Sequence, residues 1–265
     1  MCRWLAYTGA PVFLEDLICK PVHSLIEQSL CATEAKSPTN GDGFGIGWYG
    51  ERPEPGLYRE VLPAWNDPNL RSLAYQISAG MFFAHVRAST GTGSSRPNCH
   101  PFAHGRWLFM HNGQIGGYHR LRRPLESLIP DSYYQYREGT TDSEVLFYLL
   151  FANGLEEDPV GALSRTLAQV RGVTAEHAVR APLRFTAALS DGQTVYAVRH
   201  ASDQAPPSLY WRAADCGGKR SVSVVSEPLE QPETWQSVPA DRVLVVGPDL
   251  AVGFEALELP RAAAE

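Results

Sequence analysis

A chain of 265 residues, 44% hydrophobic and 20% charged, can bury a core without disulfide or metal staples, and its composition fits neither a disordered nor a membrane protein. The formal net charge is −6 with no basic run, which excludes the clustered Lys and Arg that a nucleic-acid partner requires. Five irregularly spaced cysteines argue against a disulfide framework, and no apolar run reaches the length of a membrane-spanning helix.

Residues 4–14 are mildly apolar, but Pro11 breaks the run, Glu15 and Asp16 close it, and it lacks a signal-peptide cleavage site, so the expected location is the cytoplasm. Residues 21–35 read as a first helix with Val22, Leu25, Ile26 and Leu30 on one face. Short β signals follow at residues 44–49, 57–62, 81–86 and 107–110. A second helix starts at Thr141-Asp142-Ser143-Glu144, the pattern of a capping box, and runs through Val145-Leu146-Phe147 to Gly154. A third starts after Asp158-Pro159, carries Leu163, Leu167 and Val170 on an apolar stripe, and stops at Gly172. Its closeness to the second predicts an antiparallel pair. Strands at residues 185–189, 195–199, 221–225 and 243–246 complete the chain, with Ser190-Asp191-Gly192 turning a hairpin between the first two. Strands, a helix pair and strands again make an α+β pattern. No repeat or linker divides it, so residues 1–265 are expected to form one domain.

Several short stretches can carry chemistry. Met1 precedes Cys2, whose small side chain permits removal of the methionine; a mature Cys2 then holds a thiol beside an α-amine of pKa about 8, a general base for its own side chain. In Phe82-Phe83-Ala84-His85-Val86-Arg87-Ala88-Ser89-Thr90, an apolar strand ends in an arginine whose planar fork suits either a carboxylate ligand or a surface ion pair. Trp107-Leu108-Phe109-Met110-His111-Asn112-Gly113-Gln114 reads as a strand running into an Asn-Gly hairpin turn, or as an oxyanion hole built from the Asn112 amide and the Gly113 N–H. Asp142 either answers the helix dipole or accepts a substrate ammonium. In Asn40-Gly41-Asp42-Gly43-Phe44-Gly45-Ile46-Gly47-Trp48, glycine at alternate positions leaves one strand face bare for a closely approaching backbone or ligand. No helix opens there, which speaks against a nucleotide loop. Cys99, His100 and His104 have no second ligand cluster beside them, so packing is the better reading than a metal site, and no cofactor is expected.

Taken in order, Met1-Cys2-Arg3, His85-Val86-Arg87-Ala88-Ser89-Thr90, His111-Asn112-Gly113 and Thr141-Asp142-Ser143-Glu144 resemble the motifs of the class II glutamine amidotransferases, members of the N-terminal-nucleophile hydrolases. The stretches at residues 40–47, Asn98-Cys99-His100-Pro101-Phe102 and Val225-Ser226-Glu227-Pro228 are similar to the stand-alone branch of that family. The resemblance implies a four-layer αββα sandwich of two antiparallel sheets, with Cys2 as nucleophile and base. It further implies Asn112 and Gly113 as oxyanion hole, Arg87 on the substrate α-carboxylate with Thr90 beside it, and Asp142 on the α-ammonium. The implied reaction is hydrolysis of a γ-glutamyl amide through a thioester. Within the branch the likeness extends to fungal glutathione-degrading subunits, which act with a peptidase partner, and to the γ-glutamyl sulfoxide amidase of ergothioneine synthesis. A catalytically silent γ-glutamyl-binding subunit, or one that passes ammonia to a partner protein, stands as the alternative.

Overall fold

The computed structural model describes residues 2–34, 39–89, 91 and 93–259. The elements run β1 (Arg3–Phe13), α1 (Glu15–Ile18), α2 (Leu25–Leu30), β2 (Phe44–Trp48), β3 (Gly56–Glu60), α3 (Pro68–Gln76), β4 (Ser78–Val86), β5 (Phe102–His104) and β6 (Trp107–Ile115). Four helices follow: α4 (Tyr118–Glu126), α5 (Asp131–Tyr134), α6 (Asp142–Ala152) and α7 (Pro159–Glu176). The C-terminal part is β7 (Leu183–Ser190), β8 (Val195–Ala201), β9 (Tyr210–Cys216), β10 (Lys219–Val225), β11 (Gln236–Ser237), β12 (Arg242–Val246) and β13 (Val252–Ala256).

Two antiparallel sheets result, ordered β11-β9-β10-β1-β4-β2-β3 and β13-β12-β8-β7-β6-β5. Trp4, Ala6, Phe83, Leu108, Met110 and Leu244 pack between them. The alternate residues Leu5, Tyr7, Phe44 and Phe82 face outward onto Ile18, Leu25, Ile26 and Leu70 of α1, α2 and α3. On the far side Phe109, Ala187 and Val198 meet Leu121, Leu146, Leu149, Leu163 and Leu167 of α4, α6 and α7. Each sheet is thus buried on both faces, giving the expected αββα sandwich. β1 escapes a pattern search for this reason. Both its faces are apolar, so the alternation that marks a half-exposed strand is erased.

The helix expected over residues 21–35 is shorter. Ser24 caps it, its Oγ accepting the Glu27 N–H at 3.3 Å, and Cys31 closes it. Val22 lies before the cap and is 88% exposed rather than on the apolar face; Leu30 is exposed too, and Ala35 falls outside the described residues. In α6 the Thr141 Oγ1 accepts the Glu144 N–H at 3.1 Å as a capping residue should. The Glu144 carboxylate does not close the box but accepts the N–H groups of Glu138 and Gly139. α7 runs through Gly172 to Glu176, because Val173 prolongs the buried stripe and an interior glycine costs only about 1 kcal/mol. α6 and α7 pair as expected, with Asn153 Nδ2 donating to Thr166 Oγ1 and Gln169 Oε1.

The bare glycine face of β2 is filled by the His100 backbone at Gly45 and by the Leu108 and Pro101 side chains at Gly47. A Cβ on Gly45 would lie 2.2 Å from the His100 carbonyl oxygen, and one on Gly43 would lie 2.6 Å from the Cys99 sulfur. The segment carrying Cys99 and His100 therefore lies directly on β2. Gly45→Ala must displace main chain rather than a mobile side chain, and is expected to destabilise the protein by about 1–3 kcal/mol. A thermal melt checks this: an unchanged Tm would contradict the contact.

Candidate active site

Strand alternation puts Cys2 on the same face as Trp4 and Ala6, between the sheets. Its thiol lies against the turn after β4, donating to the Ala88 carbonyl at 3.6 Å and accepting the Ala88 N–H at 3.4 Å. Burial pushes the Cys2 thiol up in pKa, while the Ala88 N–H and the charges of Arg87 and Arg3 pull it back.

Asn112 and Gly113 lie inside β6, paired with Thr186 and Phe185, so the Asn-Gly hairpin turn does not form. Leu108 and Met110 of β6 point between the sheets, and alternation sends Asn112 to that face as well. Its amide is 1% exposed, and neither Nδ2 nor Oδ1 has a hydrogen-bond partner. His111, on the opposite face, ties β6 to α6: its Nε2 donates to the Arg184 carbonyl at 3.3 Å, which leaves Nδ1 to accept the Ser143 hydroxyl at 2.9 Å. Burial lowers the His111 pKa and keeps the ring neutral, as this tautomer requires.

The backbone of β6 has one paired and one open edge here, because β5 covers it only from Trp107 to Phe109, where its first residue, Phe102, pairs. Gly116 N–H donates to Pro182 on the β7 side, whereas Ile115 N–H points the other way and donates to Asp142 Oδ2 at 2.8 Å. Alternation gives the Gly113 N–H the direction of Ile115, toward the open edge and the first turn of α6. No side chain fits at Gly113, where a Cβ would lie 1.9 Å from the Arg184 oxygen.

Arg87 follows β4 directly and is buried. Its Nη1 donates to the Asp42 carbonyl at 3.2 Å and its Nη2 to Ser89 Oγ at 3.2 Å, while the Ser89 N–H donates to Asp42 Oδ2 at 2.7 Å. Asp42 therefore pins both the arginine and the turn beside it. Thr90 lies outside the described residues. Beyond this turn a cleft of about 860 Å³ opens between Gly91 and Gly93 on one wall and Gln114, Ile115 and Asp142 on the other. Asn98 clips the walls together, donating to the Gly93 carbonyl at 2.9 Å and accepting the Thr140 N–H at 2.8 Å. Among the described residues no group of His, Cys, Asp and Glu is placed to hold a metal ion. Cys99 is buried with its pKa pushed up to about 11, in keeping with packing.

These features stand beside a match to known proteins. Residues 19–210 fit the family described as class II glutamine amidotransferases. The chain belongs to that family. It is 33% identical to the probable glutamine amidotransferase DUG3 of Saccharomyces cerevisiae over 294 residues, covering 93% of this chain and 82% of that one. It is 32% identical over 172 residues to the gamma-glutamyl-hercynylcysteine sulfoxide hydrolase of Mycolicibacterium smegmatis, covering 64% and 69% of the two chains. Among solved structures, a glutamine aminotransferase class-II domain protein from Silicibacter pomeroyi superposes with a TM-score of 0.75 at 41% identity, covering 96% of this chain and 99% of that one.

The amidotransferase also holds a buried ion network that residue patterns alone do not reveal. Arg3 is fully buried, and its Nε lies 2.9 Å from Glu227 Oε2. Glu227 also meets His23 at 2.5 Å and accepts the Thr33 N–H at 2.8 Å and the Glu34 N–H at 3.1 Å. Next to it Ser226 Oγ accepts the Trp4 N–H at 2.9 Å, so Val225-Ser226-Glu227-Pro228 clamps the start of β1. Burial alone would raise the Glu227 pKa; the hydrogen bonds from His23, Thr33 and Glu34 outweigh it and hold the carboxyl at about 2. A folded-state value below the free value of about 4.3 means that this stabilisation is complete above about pH 4.3 and fades as the pH falls toward 2. Glu227→Ala is expected to cost about 3–5 kcal/mol at neutral pH by stranding Arg3, with the deficit shrinking in acid. Urea midpoints across a pH series read both effects, and a deficit independent of pH would contradict the ionic role.

Proposed function

We propose that this amidotransferase hydrolyses γ-glutamyl amides by acyl transfer through Cys2, with residues 1–265 acting as one catalytic domain in the cytoplasm. The observation that carries the reading is the Asn112 amide, buried without a partner on the face that Cys2 also occupies. An empty donor of this kind is costly in a resting protein and useful only when negative charge develops beside it.

Removal of Met1 frees the Cys2 α-amine, with an ordinary pKa near 8. Burial raises the thiol, so that amine takes the thiol proton as sulfur attacks the γ-carbonyl carbon. The tetrahedral oxyanion receives hydrogen bonds from Asn112 Nδ2 and the Gly113 N–H. The α-ammonium then gives its proton to the departing amine, and water hydrolyses the γ-glutamyl thioester. Arg87 holds the substrate α-carboxylate, with Thr90 as a further substrate-binding residue, and Asp142 holds the substrate α-ammonium. Arg87, Asp142 and the oxyanion hole thus answer the carboxylate, the ammonium and the scissile amide of a γ-glutamyl group.

The cleft is larger than a γ-glutamyl group needs, which suits tolerance of the leaving group. A γ-glutamyl sulfoxide, the substrate named for the Mycolicibacterium relative, and the glutathione of the fungal branch are both compatible with that space. A peptidase or an ammonia-using partner would then decide the physiological role.

The test is a substrate panel of glutamine, glutathione, a γ-glutamyl anilide and an α-linked glutamyl peptide, assayed with and without candidate peptidase partners. Arg87→Ala and Asp142→Asn each remove a charge-assisted contact worth about 1.5–3 kcal/mol and should raise KM about 10- to 100-fold for every γ-glutamyl substrate alike. Activity confined to the α-linked peptide would overturn the assignment. Glutathione cleavage only with a partner present selects the glutathione-degrading role. A native chain that retains Met1 and turns over nothing selects the silent-subunit alternative.

A further inference from the structure

The layer behind Cys2 carries polar groups that this mechanism does not use. On the same inner face, Trp4 is the cross-strand partner of His85, and the His85 ring packs on His100 with centroids 4.3 Å apart. The Trp4 indole nitrogen and both ring nitrogens of His85 and of His100 are buried without hydrogen-bond partners. The His111 carbonyl lies close enough to His85 to favour a proton there, yet no hydrogen bond of acceptable geometry forms. β6 also touches β1 and β4, which brings Asn112 of the facing sheet to the same layer.

Burial holds both imidazoles neutral, His85 with a pKa of about 3 and His100 well below the ordinary histidine value. A neutral ring presents one N–H and one lone pair, and both need partners. Proteins leave very few buried polar atoms unpaired, because each pays its full desolvation cost. Five such nitrogens in one layer go far beyond that tolerance. Ordered water satisfies such groups in polar interiors by making two to four hydrogen bonds at a time.

We infer that Trp4, His85 and His100 hold ordered water in the layer behind Cys2, and that this water supplies the nucleophile that deacylates the γ-glutamyl thioester. The inference rests on the thioester reading above. In the step, the water oxygen bonds to the thioester carbonyl carbon and gives a proton to the Cys2 amine. The carbon–sulfur bond breaks as that proton passes to sulfur, and glutamate leaves. The three side chains touch the water rather than the acyl group, so they are positioning residues.

The experiment supplies hydroxylamine as a competing nucleophile that enters through the open cleft, and measures glutamate against γ-glutamyl hydroxamate for wild type, His100→Phe and His100→Gln. His100→Phe is expected to slow glutamate release about tenfold, the worth of one water-holding hydrogen bond, while hydroxamate formation stays near wild type. The thioester should then accumulate in intact-mass spectra. His100→Gln, which keeps a hydrogen-bonding head, should restore most of the hydrolysis. If His100→Phe does not fold, Trp4→Phe carries the same test and should shift the product ratio the same way. An unchanged ratio in folded variants, or both products falling by one factor, overturns the inference. Wild-type protein that forms neither thioester nor hydroxamate would instead overturn the thioester reading itself.

Discussion

Replacing Cys2 by alanine is expected to abolish γ-glutamyl hydrolysis while leaving the fold and the substrate site in place. The side chain is only partly buried and its polar contacts are both with Ala88, so the change in stability should stay within about 1 kcal/mol. No described neighbour can replace the sulfur. Cys99 is held on β2 by the Glu60 and Ser95 carbonyls, and its raised pKa keeps it a thiol. Loss of a covalent nucleophile costs a factor on the order of 10⁶ in kcat where the remaining groups act as one unit with it. Purified Cys2→Ala protein should melt near the wild-type Tm, show no acyl adduct by mass spectrometry, and still bind glutamate at the Arg87 and Asp142 anchors. Full turnover by that variant would end the mechanism.

The second large effect is expected at Asn112, and it has two signs. Under the proposed oxyanion role, Asn112→Ala should lower kcat by a factor on the order of 10²–10³ with little change in KM. The same residue is a liability in the resting protein, where both amide atoms are buried and unpaired. Asn112→Leu, an apolar residue of similar volume, should therefore raise stability by about 1 kcal/mol while it removes activity. Paired measurements of kcat and Tm test this directly. A KM increase at unchanged kcat would make Asn112 a binding residue, and a lower Tm for the leucine variant would show that its amide is satisfied in the folded protein.

The parts of the fold visible in the sequence are those with one strong local cue. The capped start of α6, the Asp-Pro start of α7 and the Ser190-Asp191-Gly192 hairpin all form where expected. The glycine alternation of β2 also declares itself, since a bare strand face points to a closely approaching neighbour, here the His100 backbone and the Leu108 and Pro101 side chains. β1 does not, because burial on both faces removes the period of two. α3 repeats the Asp-Pro start of α7 at Asp67-Pro68, and Asp67 Oδ1 accepts the Leu70 N–H at 2.8 Å, so that cue was present and unused. α4 carries three arginines and Pro124, yet Tyr118, Leu121 and Leu125 share one helical face that packs on the core, so the pattern there is real but short.

At the site, residue order pointed to Cys2, Arg87, Asn112, Gly113 and Asp142. Sequence order alone does not reveal what aims them. Asp42 holds Arg87 and Ser89 across a gap of more than forty residues, Asn98 joins two walls of the cleft, and Glu227 meets Arg3 from the other end of the chain. Such pairs leave no local signature, because a polar residue in a loop looks the same whether it faces water or a distant guanidinium.

The placement of β1 has a consequence for how the protein is made. Its two sheet neighbours are β4 and β10, and Leu5 pairs with Val225, so the first strand synthesised finds its last partner only when the C-terminal strands have emerged. At ribosomal rates of about 5–20 residues per second, that interval lasts on the order of ten to forty seconds. Throughout it β1 has β4 as its only available sheet neighbour, and the edge that β10 will take stays unpaired. Once β10 docks, Ser226 and Glu227 fix the start of the strand.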